Sequence, residues 1–236
     1  MKLPIQETPT YNVELPLSKQ KVSYRPFLVK EQRNLVMARD GKNAQEIFDS
    51  IASLMEAVTD GKIDALKLPT SDLEFLFLQV RSKSVGETSK LLRQCVVPDC
   101  GGTAKGIVNL SEITVDGNKF AEAGNKVEIS DNLMVEFRYP NSYDAVLIAD
   151  MGEVDAVKPM IMSCMVRIYD EENVYEMEEH ADSEINEFID SLTVSQFDKI
   201  SEYFMSMPSL KHSVKWTCKA CGFKNNVVIE GLQNFF

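Results

Sequence analysis

Cys95-Val96-Val97-Pro98-Asp99-Cys100-Gly101 and Trp216-Thr217-Cys218-Lys219-Ala220-Cys221-Gly222 are two short cysteine knuckles, each ending in glycine. Spaced C-x4-C and C-x2-C, they supply the four thiolates of a tetrahedral zinc site, with metal–sulfur bonds of about 2.3 Å. Glycine after the second cysteine lets the backbone fold over the sulfur. A site shared by both knuckles ties the middle of the chain to its end, so it is a staple of the fold. Cys95, Cys100, Cys218 and Cys221 are the expected ligands. The bland alternative leaves Cys95 and Cys100 as buried hydrophobes. An iron–sulfur cluster also uses four cysteines but suits paired knuckles less well, and a redox CxxC lacks its βαβ surroundings. Four sulfurs leave no open position for water or substrate, so the site reads as structural.

Working outward, Tyr11, Val13, Leu15, Val22 and Tyr24 alternate with polar residues in an extended N-terminal arm. A helix is predicted after Pro26. A second opens at Asn43, with Glu46 placed for a capping box. It carries Ile47, Ile51, Leu54, Met55 and Val58 at helical spacing and stops at Gly61. Thr70 or Ser71 is the predicted cap of a third helix, apolar on most sides and so expected at the centre of a core. From 85 to 140 the pattern turns to strands, with Met134, Glu136 and Arg138 alternating against Val135, Phe137 and Tyr139. From Ser142 to about Met207 it reads as helical again, including Val154–Arg167, Ser183–Leu192 and Ser195–Met207, the last capped by Thr193 or Ser195. The end returns to strands around the second knuckle. The expected class is α+β: helical N-terminal and C-terminal parts around a β region with a zinc-ribbon-like pair of knuckles. The expected segments are 1–84, 85–140, 141–210 and 211–236, the last forming one cooperative unit with 85–140.

The 236 residues carry a net charge of −11 and are 44% hydrophobic, the balance of a globular protein. That charge opposes non-specific nucleic-acid binding, which needs Lys and Arg to replace counterions on phosphate, and it opposes an anionic membrane surface. Apolar runs such as Leu73–Val80 are too short to span a bilayer. The N-terminal stretch has no signal-peptide pattern, so a cytoplasmic site of synthesis with reduced thiols is expected. No G-x-S-x-G, G-x-x-x-x-G-K-[ST] or G-x-G-x-x-G motif occurs. His180 and His212 fall in no catalytic pattern, and Cys164 reads as a buried helical cysteine. The expectation is no enzyme.

Three stretches resemble one family. Arg25-Pro26-Phe27-Leu28-Val29-Lys30-Glu31, Asp72 through Glu87, and the tail from Phe204 through Met207-Pro208-Ser209-Leu210-Lys211-His212 to the CxxCG and Phe235-Phe236 are similar to blocks of the baseplate hub proteins of T-even-type contractile-tailed bacteriophages. The resemblance implies a structural or hub-assembly protein, made in the host cytoplasm. It would bind other tail hub proteins, with self-association as a further expectation, and remain in the virion baseplate or act only during assembly. Interaction is expected through Phe75, Phe77 and Arg81 in the second block, Glu178 and Glu179 in the acidic run after Tyr169, and the Phe235-Phe236 end. A zinc-ribbon nucleic-acid or transcription-related factor is the alternative, because Lys211, Lys215, Lys219 and Lys224 cluster by the second knuckle.

Overall fold

Helical and alternating periodicities become helices and strands along most of this chain, and the exception lies in its second half. The computed structural model describes residues 7–41, 44–115, 124–148 and 151–230. In chain order the elements are β1 (Tyr11–Glu14), β2 (Lys21–Tyr24), α1 (Val29–Gly41), α2 (Ala44–Val58), α3 (Thr70–Ser84), β3 (Thr88–Gln94), β4 (Thr103–Asn109), β5 (Thr114–Val115), β6 (Lys126–Ser130), β7 (Leu133–Phe137), α4 (Ser142–Ile148), α5 (Glu153–Cys164), β8 (Met165–Tyr169), β9 (Val174–Glu176), α6 (Asp182–Ser191), α7 (Val194–Met205), β10 (Leu210–Thr217) and β11 (Lys224–Glu230). Among the described residues all the strand pairings are antiparallel. The class is α+β. The chain forms two units: residues 1–116 with 209–236, and residues 117–208. The segment 85–140 therefore contributes strands to both.

In the first unit, α2 buries Ile51, Leu54, Met55 and Val58 on one face. It ends where Gly61, at φ +69°, donates its N–H to Glu56 O at 2.8 Å, the closure that an αL glycine allows. Asn43, the predicted cap, lies outside the described residues. Helix α3 begins at Thr70, one residue earlier than a Thr70 or Ser71 cap requires, with Pro69 in the cap position. The Pro69 carbonyl takes the N–H groups of Asp72 and Leu73. The Asp72 carboxylate is free to accept from Leu17 N and Ser18 N, at 2.8 Å each, fixing the turn between β1 and β2. Leu73, Leu76, Phe77, Leu78 and Val80 are buried, as expected for a central helix; each contributes about 1.5–3 kcal/mol by leaving water. Two of the recognisable blocks meet here. Arg25 makes a bidentate pair with Glu31, whose carboxylate also accepts from Leu28 N, and Phe27 N donates to Ser84 Oγ.

The second unit is a four-stranded sheet in the order β6-β7-β8-β9 with helices against one face. Val127, Ile129, Val135, Phe137 and Ile168 share a core with Ile185, Ile189, Ile200 and Tyr203. Phe137 stacks on Tyr203 and meets Phe204 edge-on. The alternation predicted for β7 holds: Val135 and Phe137 are buried, and Met134 is exposed. On the outer side Arg167 bridges Glu136 and Glu176 across three strands. Thr193 caps α7 in a capping box with Gln196.

One expectation fails here. The helix predicted over Val154–Arg167 stops at Cys164, and Met165–Tyr169 is strand β8, so the 141–210 segment is not wholly helical. The run Met160–Val166 is apolar except for Ser163 and has no period to separate helix from strand. Pairing Ile168 with Val135 and Tyr169 with Met134 decides it. The acidic run that follows likewise contains β9 and a 3-10 turn over Met177–Glu179.

Candidate metal centre

Strand β3 runs into Cys95, and the chain returns through Gly102 into β4. Cys95 N donates to Gly102 O at 2.7 Å, and Cys100 N to Val97 O at 3.3 Å. Asp99 and Gly101 both take positive φ, which turns the first knuckle back on itself. In the second knuckle Cys218 N donates to Phe223 O and Gly222 N to Cys218 O, with Gly222 at φ +74°. Both glycines predicted to turn the backbone over sulfur do so.

The two knuckles face each other. The four sulfurs of Cys95, Cys100, Cys218 and Cys221 all lie within 4.8 Å of one another. Cys95 Sγ is 3.8 Å from Cys221 Sγ, and Cys100 Sγ is 3.7 Å from Cys218 Sγ. Four sulfurs each about 2.3 Å from one ion, at tetrahedral angles, stand about 3.8 Å apart. The donor set therefore fits a single metal ion. Sulfurs around an iron–sulfur cluster enclose several atoms and must stand farther apart, so the spacing matches a cluster less well. Cys95 and Cys218 are buried, at 8% and 2% exposure, while Cys100 is half-buried and Cys221 exposed. Backbone N–H groups of Cys221 and Ala220 lower the Cys218 thiol to about 7. The Phe223 N–H acts the same way on Cys221, but crowding by Cys100, Cys218 and Cys95 outweighs it and pushes that thiol up to about 12. Ligation by a metal ion would hold all four sulfurs as thiolates.

Two residues of this centre are not among those the sequence reading singled out. Asn225, 2% exposed, accepts from Val96 N at 3.0 Å and donates to Phe223 O at 3.2 Å. It clips the first knuckle to the second. Gly102 is the point of closest approach: a Cβ there would sit 2.5 Å from Cys218 Sγ and 3.3 Å from Cys100 Sγ. The duplicated glycine, Gly101-Gly102, was the one visible hint. Cys164 is apart from the cluster; it is fully buried in the second unit, and burial pushes its thiol up to about 12.

The residues expected to meet partners fall into three groups. Phe77 is 1% exposed and belongs to the core of the first unit, so it is not a surface residue; α3 is apolar nearly all round because it is enclosed. Phe75 packs half-buried against the same core, and Arg81 is half-buried. Glu178 and Glu179 are exposed on the 3-10 turn. Phe235 and Phe236 lie outside the described residues. Among the described residues no helix is long and apolar enough to cross a membrane.

A family model described as T4 bacteriophage base plate protein matches residues 8–236. The chain belongs to that family. Membership covers nearly the whole length, both knuckles included, and agrees with the resemblance carried by the three blocks. No curated protein and no solved structure matches. A base plate protein is a structural component of the phage tail that contacts other base plate proteins, and this one has a four-cysteine cluster able to hold a metal ion.

Proposed function

We propose that this base plate protein is a non-enzymatic structural or assembly component of the baseplate hub, whose first unit is closed by a structural zinc ion on Cys95, Cys100, Cys218 and Cys221. The observation that carries the metal reading is the 3.7 Å and 3.8 Å sulfur spacing across the knuckles. All four donors are thiolates, and they leave no position at which the ion could activate water. Its role is to hold 88–109 against 210–230, so that the two hairpins melt together. Assembly takes place in the host cytoplasm, and the finished protein belongs to the tail baseplate. Its contacts are with other hub proteins, through Phe75 and Arg81 on α3, the Glu178–Glu179 turn and the Phe235–Phe236 end, and with further copies of itself.

The test is co-purification with the other tail proteins from infected cells, with metal analysis of the recovered complex. One zinc per chain in a complex with hub proteins is expected; normal baseplates from phage lacking the protein would refute the hub role. Lys215, Lys219 and Lys224 are exposed around the second knuckle, which is the ground for the nucleic-acid alternative. That reading requires an affinity for DNA that falls steeply with salt, and no binding at low salt removes it.

A further inference from the structure

The cysteine centre faces two environments: Cys95 and Cys218 are buried, Cys100 is half-buried and Cys221 is exposed. Two contacts across the knuckles pair a more enclosed cysteine with a more open one: Cys95 with Cys221, and Cys218 with Cys100. Sulfurs at 3.7–3.8 Å stand about 1.7 Å beyond disulfide length, and they lie on opposite knuckles. We propose that the centre is a redox-convertible staple: on oxidation it releases its metal and closes two disulfides across the knuckles, Cys95–Cys221 and Cys100–Cys218. This rests on the structural-metal reading and adds a second state to it.

The oxidant is a peroxide. The exposed Cys221 thiolate attacks one peroxide oxygen, breaking the O–O bond and forming a sulfenic acid, while the other oxygen leaves as water after protonation. The neighbouring Cys95 thiolate attacks the Cys221 sulfur and displaces the hydroxyl, which leaves as a second water. The ion, now on two thiolates, is lost. Cys100 and Cys218 repeat the sequence, Cys100 reacting first because it is the more accessible. In total four thiolates, two peroxide molecules and four protons give two disulfides, four waters and the free divalent ion.

The product differs from what a CxxC usually makes. A bond within the second knuckle, Cys218–Cys221, would leave the hairpins unlinked once the ion had gone. Bonds across the knuckles keep residues 95–100 joined to 218–221 without metal. The protein would then need its ion while it folds in a reducing cytoplasm and could dispense with it in an oxidising medium, where chelation threatens a zinc site but not a disulfide.

The experiment takes the full chain, purified with zinc under anaerobic conditions, and adds hydrogen peroxide in steps. Released zinc is read with a chromophoric chelator, thiols are counted, and the linkages are mapped by non-reducing peptide mass spectrometry. The expected result is two peroxides consumed per zinc, loss of four thiols, linkages 95–221 and 100–218, and an unchanged circular-dichroism spectrum. Zinc plus dithiothreitol should restore the starting state. Linkages 95–100 and 218–221, sulfinic acids in place of disulfides, or unfolding on oxidation would each overturn the proposal. Cys221→Ser should slow peroxide-driven zinc release at least tenfold, and an unchanged rate would remove Cys221 as the first site of attack. Should that variant not fold, iodoacetamide footprinting of the intact chain, with Cys221 alkylated first, replaces it, and equal labelling of all four refutes the order of attack. A protein that carries no zinc when isolated sinks the metal reading instead, while the mapping on the reduced, metal-free chain still decides the disulfide pairing.

Discussion

Gly102→Ala places one methyl group against the sulfurs of both knuckles. Its Cβ would lie 2.5 Å from Cys218 Sγ, 3.2 Å from Ala220 Cβ and 3.3 Å from Cys100 Sγ. Ordinary carbon–sulfur contact begins roughly 1 Å farther out than the first of these, by the 3.5–4.0 Å range of unstrained non-bonded contacts. The sulfur cannot swing aside freely, because a metal bond tolerates a displacement of only about 0.2 Å. Either Cys218 leaves the ion or the two knuckles part. Overpacking of this kind costs about 1–3 kcal/mol, which weakens metal binding by roughly fivefold to a hundredfold or more. Competitive titration of zinc against a chromophoric chelator reads the loss, and the melting of the first unit should fall with it. Gly101→Ala is the control. It has open space at its Cβ but φ +63°, so it carries a backbone cost of about 1–2 kcal/mol without touching a sulfur. A Gly102→Ala protein that holds zinc as tightly as the parent, and more tightly than Gly101→Ala, would refute the packing argument and the closeness of the knuckles with it.

Cys218→Ser should lower zinc content and solubility together, since metal binding here is folding energy; a soluble, well-folded, zinc-free variant in metal analysis contradicts that. Asn225→Ala strips the Val96 N–H of its partner and should cost about 1–3 kcal/mol in a urea melt of the first unit, without removing a ligand. In the second unit, burial acts to raise the Asp144 carboxyl, but Arg138 and the Asn141 N–H outweigh it and hold it below its usual range. A depressed carboxyl contributes stability that is complete above its unfolded value of about 3.9 and is lost as pH falls through the lower folded value. Asp144→Asn should therefore flatten the acid limb of that unit's melting curve, and an unchanged limb would count against the ion pair. Thr193→Ala removes the α7 cap and should cost about 1 kcal/mol in the same melt. Removing Phe235 and Phe236 should weaken partner capture or melting, and a truncated protein unchanged in both assays would discard that role.

Residues adjacent in sequence and strictly patterned were sufficient for much of this protein. The paired cysteines with their glycines named the centre, because ligand type and turn geometry are local. The face of α2, the Thr193 cap and the alternation of β7 followed from period and capping chemistry, which are local as well. The family blocks were readable for the same reason.

What needed the folded chain was whatever depends on a distant neighbour. Met160–Tyr169 has no period of its own, and β8 exists because β7 lies beside it. Phe77 looks like any other aromatic in its block until the core closes around it. Asn225 and Gly102 are ordinary letters whose importance comes from groups in the opposite half of the chain, met only when the knuckles close. Local pattern sets which conformations a segment favours by a few tenths of a kcal/mol per residue; burial and long-range hydrogen bonds are each worth more than that, so they decide the segments where the pattern is silent.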